Sequence, residues 1–214
     1  MDSFKGRLAV VTGGGAGMGR ELVRQLAAAG CDVATCDVNE DNVAETARLV
    51  IEDGSEVKIS THMCDVSAES EVMAFRDGVE SEHQTDTISL LFNNAGIGGG
   101  GSFVADDRDA WERTFDICWG GVYLCARAFV PMLVRSDEGA VVNTGSINGF
   151  WATVGPEVPH TSYAASKFAV KGFTEALIAD FRVNAPHLSA HVVMPGHIGT
   201  SIALNSVAMH GGTD

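Results

Sequence analysis

The feature that most constrains this chain is its rhythm. Six short apolar runs are separated by stretches with helical spacing, and the order never breaks. RLAVVT (7–12), DVATCD (32–37), a run within EVKISTHMCD (56–65), ISLLFN (88–93), GAVVNTG (139–145) and LSAHVVM (188–194) read as strands. Between them, residues 17–29 place Met18, Leu22, Val23, Leu26 and Ala29 on one helical face, and Gly30 stops that helix. Further helices are predicted over 40–53, from a Ser67 cap to about 81, over 109–134 and over 161–183. Strands that are apolar along their whole length are buried on both faces, which is the mark of a parallel sheet covered by helices. Right-handed crossovers then make the α/β sheet doubly wound, and a Rossmann-type domain with strand order 3-2-1-4-5-6 is the expected member of that class. Such sheets bind ligands beyond the carboxyl ends of their strands, so the residues just after each strand carry the information.

After the first run comes TGGGAGMG (12–19). Glycines permit a tight turn and close approach of the backbone to a pyrophosphate, and the helix that follows points its N-terminus at the negative charge. The second strand ends in Asp37, twenty residues after Gly17. A carboxylate there accepts hydrogen bonds from the hydroxyls of an adenosine ribose and repels a 2′-phosphate. Cys36 and Val38 flank it, with no Lys or Arg beside it, so NAD is favoured over NADP.

A second constellation lies at SYAASKF (162–168). Positions i and i+4 share a helix face, so Tyr163 and Lys167 stack one turn apart. A cation there favours the tyrosinate and draws the phenol pKa from about 10 toward neutrality, where a proton donor or acceptor is useful. Taken alone, the pair also reads as an ordinary surface contact.

Composition narrows the functions. Acidic residues outnumber basic ones 28 to 14, for a net charge of −14. Such a surface repels nucleic-acid backbones, while backbone N–H groups still bind a phosphate. Cys31, Cys36, Cys64, Cys118 and Cys125 form no CxxC, which points to a reducing, cytoplasmic setting without disulfides. His187 and His191 are four apart but lead into a strand, so a structural role is expected and no metal site. The N-terminus lacks a signal-peptide layout, and its apolar run is too short to span a membrane.

From about residue 5 to 200 the chain resembles the short-chain dehydrogenase/reductase superfamily. TGGGAGMG matches that family's TGxxxGxG, NNAG (93–96) its cleft segment, Tyr163-Ala-Ala-Ser-Lys167 its YxxxK, and Pro195–Gly196 with Thr200 its PG…T. The resemblance implies a cofactor held by Gly13, Gly15, Ala16, Gly17, Met18 and Gly19, by Asp37 and Val38, and by Asp65 and Val66 at the adenine. It adds Asn93, Ala95 and Gly96, then Tyr163 and Lys167, then Pro195, Gly196, Ile198 and Thr200. It implies Tyr163 as general acid/base, Lys167 as its partner on the nicotinamide ribose, and Ser146 on the substrate oxygen. Without the resemblance, NTGSING (143–149) reads as a turn.

Two departures stand out. Cys118 occupies the position of the family's usual relay asparagine; its backbone carbonyl remains, but a thiol is a weak hydrogen-bond partner. Gly120–Gly121 would loosen the helix there, so an altered but working relay is expected. After Thr200 only SIALNSVAMHGGTD follows, and the family's lid and seventh strand are not recognised in it. Residues 1–214 therefore read as a single dehydrogenase domain of a longer functional protein.

Ile147, Phe150, Trp151 and Val154 are expected to form an apolar substrate wall, with His160 and His197 as polar contacts and a mobile IGGGGS (97–102) admitting bulky molecules. An apolar secondary alcohol or ketone is the expected substrate. Assembly as a homodimer or homotetramer follows from the resemblance, with Trp111, Phe115, Phe129, Phe168 and Phe173 as contact residues. The alternative is a nucleotide-sensing protein on the same fold with little turnover; other oxidoreductase chemistries, such as double-bond reduction, fit the Ser/Tyr/Lys set less well.

Overall fold

The computed structural model describes residues 1–99, 101–153, 159–196 and 198–199. Val154, His197, Thr200 and the segment 201–214 lie outside these. Among the described residues six strands form one parallel sheet: β1 (Leu8–Thr12), β2 (Asp32–Asp37), β3 (Ile59–Met63), β4 (Leu90–Asn93), β5 (Gly139–Thr144) and β6 (Leu188–Val193). Their order is β3-β2-β1-β4-β5-β6, the Rossmann-type order expected from the sequence. Successive residues on β1 serve opposite cores. Ala9 and Val11 pack with Val23, Leu26 and Ala27 of α1 (Gly17–Ala28) and Val50 of α2 (Glu40–Glu52). Val10 packs on the other face, with Phe75 of α3 (Glu69–His83), Phe129 of α5 (Gly121–Val134) and Phe181 of α6 (Thr161–Asn184).

Most boundaries fall where the glycines and apolar spacing put them. The Ser67 cap does not. The residue before α3 is Ala68, with no side-chain cap, because the Ser67 hydroxyl is spent on Asp65 Oδ1 at 2.7 Å. The long fourth helix is also not one helix. α4 (Arg108–Phe115) passes through a π-helical turn, Asp116–Gly120, into α5. By length and composition the stretch Arg108–Val134 is apolar enough to cross a bilayer, and 56% of its most apolar window is buried inside the protein. Phe129 is fully buried in the core and so does not belong to an outer face. The glycine run is tethered at its far end: the Gly101 carbonyl accepts both the Thr161 N–H and the Thr161 hydroxyl, each at 3.0 Å.

A line of buried amides runs across the core beneath the strand ends. Asn93 Nδ2 donates to Asn143 Oδ1 at 2.7 Å, Asn143 Nδ2 to Thr174 Oγ1 at 2.8 Å, and Thr174 to the Val170 carbonyl at 2.7 Å. It ties β4 to β5 and β5 to α6 in the register that pairs Asn93 with Asn143. In low dielectric these bonds favour one arrangement, since breaking them would leave further buried amide groups unpaired beside Asn93 Oδ1, which is buried without a partner among the described residues.

Candidate active site

The first turn is built for close approach. Gly13 has φ +67, and a Cβ there would lie 2.8 Å from Ala95 Cα. The turn and NNAG are therefore in backbone contact, and three groups fasten them. Asn94 N–H and Ala95 N–H both donate to Thr12 Oγ1 at 3.0 Å, and Asn94 Nδ2 donates to the carbonyls of Thr12 and Gly13 at 3.1 and 3.3 Å. Thr12 and Asn94 were not singled out from sequence. Asn94 stands between two residues that were, but its bonds to the first turn depend on β1 and β4 being neighbours.

Asp37 lies beside the turn, where its carboxylate accepts the Gly15 N–H at 2.9 Å and the Asn39 N–H at 3.1 Å. The first turn of α1 carries no acidic residue, and the Ala16 N–H just before it meets no acceptor among the described residues. The helix end is thus open to an anion. After β3, Asp65 is held firmly. Burial pushes its carboxyl up, but Ser67 N–H and hydroxyl on Oδ1 and Arg113 on Oδ2 at 2.8 Å outweigh that and hold it below the usual range. Val66 is buried against Gly121, where a Cβ would approach its Cγ2 to 2.6 Å.

Ser146 follows β5 and is 6% exposed. Its Oγ accepts the Asn148 N–H at 3.2 Å and so caps the single 3-10 turn Ile147–Gly149. The turn reading was therefore right about the backbone, and the cap uses the oxygen while the hydroxyl proton meets no acceptor among the described residues. Gly149 presses this turn onto α6, since a Cβ there would lie 2.7 Å from the Lys167 carbonyl. Lys167 is only 3% exposed, and its Nζ donates to the Thr144 carbonyl at 2.8 Å, two residues before Ser146. The ammonium stands over the Tyr163 ring, 5.5 Å from its centroid. The predicted i,i+4 pair is thus a contact through the ring face, and Tyr163 itself is half-buried.

Gly96 joins the two halves of the site. A Cβ added there would be 3.7 Å from both Lys167 Nζ and Cys118 Sγ. Cys118 is completely buried in the π-turn, and its thiol donates to the Ile97 carbonyl at 3.2 Å. The helix distortion is therefore present with a cysteine in place of asparagine. All five cysteines are free and buried. A hydrogen bond to Cys64, together with burial, holds the Cys36 thiol well above its usual range. Burial pushes Cys31 up to about 12 and Cys125 higher, so these thiols stay neutral.

The remaining predicted residues are peripheral in the described structure. The Pro195 carbonyl accepts the Ile147 N–H at 3.2 Å, while Gly196 and Ile198 are exposed. Phe150 and Trp151 are 57% and 63% exposed and meet edge to face at 5.0 Å, and Val38 is exposed beyond Asp37. Half-buried His160 precedes α6 without capping it through its side chain. His187 and His191 contact the Val134 carbonyl and Ser189 Oγ respectively.

This arrangement can hold a dinucleotide along the strand ends, with the buried Lys167 ammonium over the Tyr163 ring and the turn that carries Ser146 packed on the same helix. The short chain dehydrogenase family model matches residues 7–210. A Mycobacterium tuberculosis protein, SadH, is 36% identical over 211 residues, covering 99% of this chain and 74% of the relative. Among solved structures, a short-chain dehydrogenase/reductase from Burkholderia phymatum in complex with NAD superposes with a TM-score of 0.86 at 30% identity, covering 94% of this chain and 69% of that one. Levodione reductase gives 0.86 at 27% identity, covering 97% and 78%. With fold, strand-end residues and relatives in agreement, the chain belongs to the short-chain dehydrogenase family of oxidoreductases, enzymes that act on CH–OH groups.

Proposed function

We propose that this enzyme interconverts a secondary alcohol and a ketone with NAD(H), using Tyr163 as the general acid/base. The observation that carries this reading is the buried Lys167 between the Thr144 carbonyl and the Tyr163 ring, on the helix that packs against the Ser146 turn. The residues fit a dinucleotide: the open Ala16 N–H and the α1 terminus for the pyrophosphate, Asp37 for the adenosine ribose, and Lys167 for the nicotinamide ribose. When bound, NAD(H) supplies or accepts the hydride. In the direction of reduction, the Tyr163 hydroxyl gives its proton to the substrate oxygen. Ser146 donates its hydroxyl proton to the same oxygen and stabilises the charge that develops there. An ammonium has three donors, and Lys167 spends one on Thr144, which leaves two for the cofactor and for proton supply.

NAD is preferred because Asp37 presents negative charge where NADP carries its extra phosphate. The family is not uniform in this: one structural relative was solved with NAD and another, an actinorhodin polyketide ketoreductase, with NADPH. An apolar substrate suits the exposed Phe150 and Trp151, and two relatives are named for retinol and levodione. Homo-oligomerisation fits the outer face of α4–α6. Tyr123 and Phe168 are exposed there, and Trp119 and Phe173 pack edge to face at 5.4 Å.

The test is titration with NADH and with NADPH by nicotinamide fluorescence, followed by turnover of secondary alcohols. NADH is expected to bind at least about tenfold tighter than NADPH, which corresponds to about 1.4 kcal/mol. Tyr163→Phe is expected to keep NADH affinity and lose turnover. Tight binding with no turnover by wild type on any alcohol or ketone would favour the sensor instead.

A further inference from the structure

Two side chains on the far side of the first turn have no part in the reading above. Thr46, fully buried on α2, has its hydroxyl 2.9 Å from the Gly14 carbonyl and 3.1 Å from that of Asn42, and its one proton goes to the shorter contact with Gly14. Arg20, on α1, donates from Nη2 to the carbonyls of Gly15 and Asn42, the latter at 3.2 Å, and from Nε to Thr46 Oγ1 at 3.1 Å. Together they hold two successive carbonyls of the phosphate turn.

A trans peptide points its N–H opposite to its C=O. Drawing the Gly14 carbonyl to Thr46 sends the Gly15 N–H the other way, where Asp37 Oδ2 receives it. Drawing the Gly15 carbonyl to Arg20 sends the Ala16 N–H the other way, and that N–H meets no protein acceptor among the described residues. The bond that fixes one end of each peptide therefore aims the other. Arg20 also makes no ion pair among the described residues. The nearby Glu45 is already paired with Arg48 at 2.7 Å. In a chain of net charge −14, a guanidinium with no direct ion pair among the described residues, and with Glu45 acting on it only at longer range, thus sits one peptide from the open N–H.

We infer that Arg20 is a positioning residue for pyrophosphate recognition: through the Gly15 carbonyl it orients the Ala16 N–H, and Thr46 locks the adjoining peptide. The inference rests on the proposed dinucleotide reading and adds to it a residue that does not itself touch the cofactor. A fork of donors spanning Gly15, Asn42 and Thr46 is a task for arginine that a lysine ammonium does not reproduce.

The test compares ligands with and without phosphates. Affinities for NADH, ADP and adenosine are measured by calorimetry for wild type, Arg20→Met and Arg20→Lys, alongside thermal unfolding. Arg20→Met is expected to weaken ADP and NADH about 10- to 100-fold while adenosine stays within about threefold, since only the phosphate contact depends on the oriented peptide. Arg20→Lys is expected to recover less than half of that loss on a logarithmic scale. Unchanged ADP affinity in Arg20→Met overturns the inference; so does a parallel fall for adenosine, which would mark a general structural role; so does full recovery by Arg20→Lys, which would make charge alone sufficient. If Arg20→Met does not fold, Thr46→Val carries the same comparison with the same split expected at smaller size, and no split overturns the inference. Failure of wild type to bind NADH or ADP would instead remove the cofactor reading itself.

Discussion

Replacing Gly19 with alanine isolates how much the fold depends on the contact between its first turn and α1. A Cβ at Gly19 would lie 2.0 Å from the Gly13 carbonyl oxygen, 2.6 Å from Asn94 Nδ2 and 2.8 Å from the Gly13 carbonyl carbon. These are mostly backbone atoms, and the Asn94 amide is pinned to Thr12 and Gly13, so no flexible side chain can swing aside. Overpacking of this kind costs about 3 kcal/mol at the upper end of its usual range. Gly19 lies inside α1, so alanine returns about 1 kcal/mol of helix preference. The net loss of about 2 kcal/mol lowers Tm by about 4–8 °C in a protein of this size. Gly172 supplies the control. It too lies inside a helix, α6, but a Cβ there meets nothing within 4 Å. Gly172→Ala should therefore gain about 0.5–1 kcal/mol and raise Tm by about 1–4 °C. Thermal unfolding followed by circular dichroism reads both. A Gly19→Ala protein as stable as wild type, with Gly172→Ala stabilised as expected, would refute the claim that the turn is packed directly on the helix.

Two further outcomes follow from the site and the core. Cys118→Asn should change turnover by less than about tenfold, because the π-turn is already formed with the thiol on the Ile97 carbonyl; activity only in the asparagine variant would mean the natural chain is a weak or dead enzyme. Ser60 Oγ bridges His62 at 3.0 Å and His83 at 2.9 Å, and burial pulls both imidazoles below their ordinary pKa. Lys58 opposes protonation of His83 further, while Asp32 favours it and Glu82 favours that of both. Because their folded pKa values lie below the unfolded one, the unfolded chain binds more protons, and stability must fall as pH drops through about 6.5 toward those lower values. Urea midpoints between pH 7 and 5 should show this fall, and it should shrink in His83→Gln; an equal fall in that variant would remove His83 from the account.

The sheet was legible because parallel strands advertise themselves as unbroken apolar runs and because Gly30 and Gly54 punctuate the helices. Asp37, Tyr163 and Lys167 stood out because a strand end and one helical turn are local features, whereas Ser146 came only from the resemblance, its own residues reading as a turn. What escaped the sequence depends on which segments become neighbours. Arg20 and Thr46 lie on consecutive helices, and nothing in either helix marks them as partners of the Gly14 and Gly15 carbonyls. The Asn93–Asn143–Thr174 line needs the β4–β5 register before any of its bonds can be drawn. Ser67 is the converse: its spacing suited a helix cap, but a carboxylate two residues away captured its hydroxyl first.

The π-turn also works as a phase shifter. An α-helix advances about 100° per residue, so the extra residue held in Asp116–Gly120 sets the angle between the faces of α4 and α5. That angle lets α5 keep Phe129 and Met132 on the sheet while Trp111 of α4 bonds Thr161 through its indole and Ser162 through its carbonyl, at 3.0 and 2.6 Å. Those two residues begin the helix that carries Tyr163 and Lys167. One residue more or fewer between 116 and 120 would leave both helices intact and turn one against the other by a little over a quarter of a revolution, so this segment tolerates substitution far better than a change in length.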